Sequence, residues 1–136
     1  MKINDRVQNV MASDILVAQI FKLDASGPVI FPTPDELEMQ CGFGEVPEDR
    51  YLKAHVHNIV ERQTQNTSEF IYVISGKIDI VFLDPEGDEV GVAVISPGHG
   101  VLQYVGGHQI TIRAGTRYFE LKQGPYFGHV KDKTVL

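Results

Sequence analysis

Three observations predict an all-β sandwich or barrel. From residue 51 onward short strand-like runs follow one another, at about 51–58, 69–75, 77–83, 89–95, 101–105, 108–113 and 116–122. Turn signals separate them: Ser75-Gly76-Lys77, Asp84-Pro85-Glu86-Gly87-Asp88, Pro97-Gly98 and Gly106-Gly107. Such residues supply the φ values and local hydrogen bonds that close tight turns. Several runs are rich in β-branched and aromatic residues, as in Glu69-Phe70-Ile71-Tyr72-Val73-Ile74, and regular spacing of this kind is the mark of two packed sheets.

Upstream the pattern is weaker. Residues 1–13 are mixed and polar, and read as a loose arm or a short helix. Ile15 to Lys22 fits either strand or helix. Asp24-Ala25-Ser26-Gly27-Pro28 is a turn that leads to Val29-Ile30-Phe31, after which Pro32 and Pro34 interrupt any regular element. Leu37 to Phe43 is the next expected strand.

At 136 residues the chain is expected to form one domain, long enough to bury a core. No repeat, low-complexity tract or linker divides it. The 43% hydrophobic content is ordinary for a soluble protein, and no apolar run approaches the roughly 18 residues of a membrane span. The start, Met1-Lys2-Ile3-Asn4-Asp5-Arg6, leads into no secretory apolar region, and the single cysteine, Cys41, suits a reducing compartment; a cytoplasmic protein with a buried structural thiol is expected. The formal charge of −6 argues against nucleic-acid binding, which needs a basic patch.

The chemistry-bearing residues are His55, His57, Glu69 and His108. On a strand, positions i and i+2 face the same side, so His55 and His57 would aim two imidazoles into one volume. Glu69 opens an apolar strand, where a buried carboxylate is costly without a partner or a cation. Its alternation with Ile71 and Val73, and that of His108 with Ile110 and Ile112, places both polar groups on apolar faces. Three nitrogens and a carboxylate would suit a divalent transition metal such as Zn, Fe, Mn, Ni or Cu. The alternative is that these histidines only hydrogen-bond inside the fold. The opposite row, Phe70-Tyr72-Ile74, is apolar too and is expected to meet either residues 14–43 or a second subunit in a homodimer.

These residues carry a resemblance to the cupin superfamily. His55-x-His57 with Glu69-x6-Gly76 is similar to the first cupin motif, except that eleven residues separate His57 from Glu69, more than the usual three or four. Glu61 stands at the usual offset but lacks the glycine, so it competes with Glu69 as the acidic ligand. Gly98, Gly106 and His108 resemble the second motif, with Tyr104 in place of its proline, one residue missing before His108, and Ile112 near its final asparagine. Glu120-x-Lys122-x-Gly124-Pro125-Tyr126, followed by Asp132-Lys133, looks like the ending of small single-domain cupins found with genes for polysaccharide or sugar-nucleotide synthesis.

The resemblance implies a double-stranded β-helix (jelly roll). It makes Ile15 to Lys22 a strand, with flanking strands over 14–50, the cupin core over 51–122 and a tail over 123–136. It also implies a metal held by His55, His57, Glu69 and His108, and a sugar or sugar derivative as ligand. Gln40, Arg62, Tyr104 and Tyr126 are weaker candidates for contacting that ligand, each with an ordinary structural role as the competing account. Glu120 is expected to pair with a nearby donor rather than to take part in chemistry.

Three functions follow. The first is a small metal-binding cupin that binds or transforms a polar metabolite, its metal serving as Lewis acid or oxygen-binding centre. The second is a metal-independent sugar-nucleotide epimerase or ketoisomerase that works by proton shuttling. The third is a non-catalytic ligand-binding or regulatory module.

Overall fold

The computed structural model describes residues 5–136. Eight strands run in chain order: β1 (Val7–Ala12), β2 (Ile15–Lys22), β3 (Glu69–Ser75), β4 (Ile78–Leu83), β5 (Glu89–Ile95), β6 (His99–Gln103), β7 (Gly107–Ile112) and β8 (Arg117–Lys122), with one short helical turn, α1 (His129–Asp132). They form two antiparallel sheets, one of order β1-β2-β6-β3-β8 and one of order β5-β4-β7. The protein is therefore an all-β sandwich. No helix among the described residues is long and apolar enough to cross a membrane.

The core between the sheets follows from strand alternation. Ile71 and Val73 of β3, Val101 of β6 and Ile20 of β2 are buried with Ile78, Ile80 and Phe82 of β4. Register carries the pattern across each sheet: Ile71 lies opposite both Val101 and Glu120, while Phe82, Ile80 and Ile78 lie opposite His108, Ile110 and Ile112. Residues directly opposite on paired strands share a face. A second cluster, Phe21, Leu102 and Tyr104, lies on the other side of the larger sheet, where Leu37, Met39, Phe43 and Phe70 pack against it. The row that begins at Phe70 is thus covered in part by the chain's own segment, although Ile74 at its far end stays exposed.

Three expectations about elements are corrected. Val7–Ala12 is a strand that pairs with β2 around the tight turn Ser13-Asp14, not a loose arm; its alternation is hard to read because among its residues Val10 alone is buried. Leu37 to Phe43 is not a strand: it packs through side chains, and the backbone forms an isolated bridge between Phe43 and Ile30. Residues 51–58 are not a strand either. They belong to a stretch, 51–67, without regular structure, every residue of which is exposed.

The turn between β6 and β7 depends on glycine. Gly106 has φ +75°, and a Cβ there would stand 2.2 Å from the Leu83 carbonyl oxygen. A side chain at this position would have to displace backbone, so only glycine permits the approach. The turn delivers His108 two residues later.

Candidate functional site

One end of the sandwich collects polar side chains from both sheets. Glu69, the first residue of β3, lies opposite Gln103 of β6 and opposite Lys122 of β8. Glu120 lies two residues before Lys122 and so shares its face. Glu69, Gln103, Glu120 and Lys122 therefore stand on the face that farther along carries Ile71, Val73 and Val101. From the smaller sheet His108 projects toward them, because it sits opposite buried Phe82. The sheets meet here through a hydrogen bond of 2.6 Å between His108 Nδ1 and Gln103 Oε1. Beside it the Glu120 carboxyl stands near enough to that of Glu69 to raise its proton affinity.

Two carboxyls in contact cannot both be ionised cheaply, and burial raises the cost. Burial first, then the hydrogen bond with Glu120 and the charge of that group, push the Glu69 carboxyl from 4.5 up to about 7, against the opposing pull of Lys122 and Lys133. Burial and then the Lys133 ammonium push His108 below its ordinary 6.5, while Glu120 pulls the other way. At neutral pH the mouth holds a neutral imidazole and a Glu69 carboxyl poised to gain or lose its proton. Groups tuned in this way are suited to general acid–base work.

The quartet expected to bind metal is divided. Glu69 and His108 face the sandwich interior, as their alternation predicted. His55 and His57 are exposed on the irregular 51–67 segment. Their rings are 5.3 Å apart between centroids and meet edge-on at 72°, and His55 Nδ1 hydrogen-bonds the Lys53 carbonyl at 2.9 Å. The alternation argument does not apply to them because no neighbouring strand holds the segment extended. Glu61 shares that exposed stretch. Among the described residues no three His, Cys, Asp or Glu side chains are placed to hold a metal ion, so the donors as arranged do not fit a four-ligand centre.

The weaker ligand-contact candidates have other roles in the structure. Tyr104 is 2% exposed; its hydroxyl donates to Gln19 Oε1 at 2.6 Å and lies 3.1 Å from Thr33 Oγ1, and burial pushes the phenol up to about 12. Gln40 Nε2 donates to the Pro34 and Leu37 carbonyls, each at 2.9 Å, and so ties a turn together. Arg62 is exposed and reaches the Val60 carbonyl two residues back at 3.4 Å. Tyr126 is exposed in the tail, with the Lys122 ammonium 5.5 Å from its ring centre.

Sequence reasoning missed Gln103 as a member of the mouth, and it expected Glu120 to pair with a nearby donor without placing it beside Glu69. The signal for Glu120 was its alternation with Lys122, which interrupts the apolar pattern of Phe119 and Leu121. That signal gains meaning only once β8 is known to pair with β3 in this register. Gln103 ends the apolar run Val101-Leu102, and nothing in sequence ties it to His108. No protein-family model matches this chain, and neither a curated protein nor a solved structure does.

Proposed function

We propose that the protein is a cupin-like jelly-roll domain that acts on a small polar metabolite at the sandwich mouth by proton transfer through Glu69, Glu120 and His108. The observation that carries this reading is the meeting of Glu69, whose carboxyl is raised to about 7 by burial and by Glu120, with His108 across the two sheets, where Gln103 bonds the imidazole. Groups from two opposed sheets meet at this end, as an epimerase or ketoisomerase needs if substrate is to lie between two proton-transfer groups. One group removes a proton from carbon next to a carbonyl and another returns it. Lys122 and Lys133 would complement a charged substituent, and the amide and carboxyl groups would meet hydroxyls. A sugar derivative fits that chemistry and agrees with the motif resemblance. Eight antiparallel strands in two sheets support the jelly-roll assignment.

The test is deuterium incorporation from solvent into a panel of sugar nucleotides, with chelator-treated protein. Exchange that persists in chelator and falls roughly 10²–10⁴-fold in Glu69→Gln and in Glu120→Gln supports the reading. Exchange abolished by chelator, or indifferent to both substitutions, would count against it.

A second reading, divalent-metal binding, is favoured by one observation: the His55 and His57 rings lie side by side, open to solvent. Closure of residues 51–67 over the mouth would add these imidazoles to Glu69 and His108. Elemental analysis of the purified protein decides it. Stoichiometric metal that is lost in both His55→Ala and His108→Ala would establish a shared centre.

A further inference from the structure

We infer that Gln103 is a positioning residue that holds His108 as its Nδ1-protonated tautomer, leaving Nε2 as the ring atom with a free lone pair. The argument starts from the amide. Gln103 is 6% exposed, and its Nε2 donates both hydrogens to backbone carbonyls, those of Val105 at 3.1 Å and Gly107 at 2.6 Å. A carbonyl can only accept, so the amide cannot be turned over without setting its oxygen against two others. With the nitrogen committed, Oε1 is left to accept, and the group it meets at 2.6 Å is His108 Nδ1. An imidazole nitrogen facing a carbonyl oxygen must carry the hydrogen. In a neutral ring the other nitrogen then has none.

Local structure makes this arrangement stiff. The two carbonyls belong to the loop that Gly106 allows to pass against Leu83, so Gln103 bonds across its own turn before it reaches His108. Residues 103–108 thus form a self-bracing unit in which glycine shapes the loop, the amide locks it, and the imidazole is oriented by what remains. The arrangement is that of a supporting shell that fixes a working imidazole through its second nitrogen. The inference rests on the proposed function only in naming Nε2 as the atom that would exchange a proton with substrate; the tautomer itself does not depend on it.

The experiment is long-range proton–nitrogen correlation of the imidazole rings in the full-length protein labelled with nitrogen-15, above the His108 titration, with His108→Gln used to assign the ring. Wild type is expected to show a pyrrole-like Nδ1 and a pyridine-like Nε2. The opposite pattern, or rapid averaging of the two, would overturn the inference with no variant needed. Gln103→Leu removes the acceptor oxygen, and His108 should shift toward the Nε2-protonated form that isolated histidine prefers. An unchanged tautomer in Gln103→Leu would show that the amide does not set it. Should that variant fail to fold, the wild-type spectrum still decides. A correct tautomer in a protein without turnover would leave this inference standing and remove the proposed activity.

Discussion

His108 and the pair His55/His57 are the same residue type in two settings. His108 sits on a strand hydrogen-bonded to β4, so its direction follows from that of its neighbours: Phe82 opposite it is buried, and the imidazole points inward with it. His55 and His57 also alternate with apolar residues, Ala54 and Val56, yet that stretch has no partner strand and both rows face solvent. Alternation encodes a face only when a sheet provides one. The difference also separates two kinds of chemistry. Inside the mouth, burial shifts proton affinities and makes each hydrogen bond count, whereas on the open segment solvent screens the same groups.

The largest expected contrast is functional. On the acid–base reading, His108→Gln should lower turnover by roughly 10²–10⁴-fold, while His55→Ala leaves it within error. Steady-state rates of the two variants check this, and equal losses would erase the distinction between the two regions.

Stability should divide along the same line. Phe82 is fully buried opposite His108 in the neighbouring strand, and truncating a phenylalanine in a core costs about 3–5 kcal/mol, so Phe82→Ala should shift the denaturation midpoint strongly. Ile59 is fully exposed on the 51–67 segment, and Ile59→Ala should change stability by no more than about 0.5 kcal/mol. Urea unfolding of both variants measures the difference. A large cost at Ile59 would mean that the segment packs against something in solution.

A smaller effect is the pH dependence of stability. Folded Glu69 keeps its proton up to about 7, whereas the unfolded group releases it near 4.5. Between those values the folded state binds more protons, so this contribution is full below about 4.5 and is lost as pH rises through about 7. His108 acts in the opposite sense: the folded ring resists protonation, so its contribution is lost as pH falls below the ordinary 6.5. Glu69→Gln should flatten the decline toward neutral pH, and His108→Gln should relieve the loss on the acid side. Unfolding midpoints from pH 4 to 8 would read both; unchanged slopes would mean that the two groups titrate in the fold as they do in water.

The smallest effect concerns Cys41. Its thiol is pushed up by burial against the Phe21 and Tyr104 cluster, so alkylation near neutral pH should be slower than that of a free cysteine and should speed up on unfolding. Reaction as fast as that of a model thiol would show that this covering segment opens readily.

The amino-acid sequence alone determined much of the sandwich. Strands β3 to β8 follow from β-branched alternation punctuated by glycine, proline and aspartate turns, and the inward direction of Glu69 and His108 follows from the aliphatics that share their rows. These are local properties, because each residue's φ, ψ and face depend on its near neighbours in the chain. Tertiary structure decided the rest. Pairing of β3 with both β6 and β8 brought Gln103 and Glu120 beside Glu69, across gaps of 34 and 51 positions that no periodicity spans. It paired β1 with β2, although few residues of β1 are buried, and it left 51–58 without a partner despite its alternation. A strand exists only where another edge completes its hydrogen bonds, and a site exists only where separate strands meet; both depend on contacts between residues far apart in the chain.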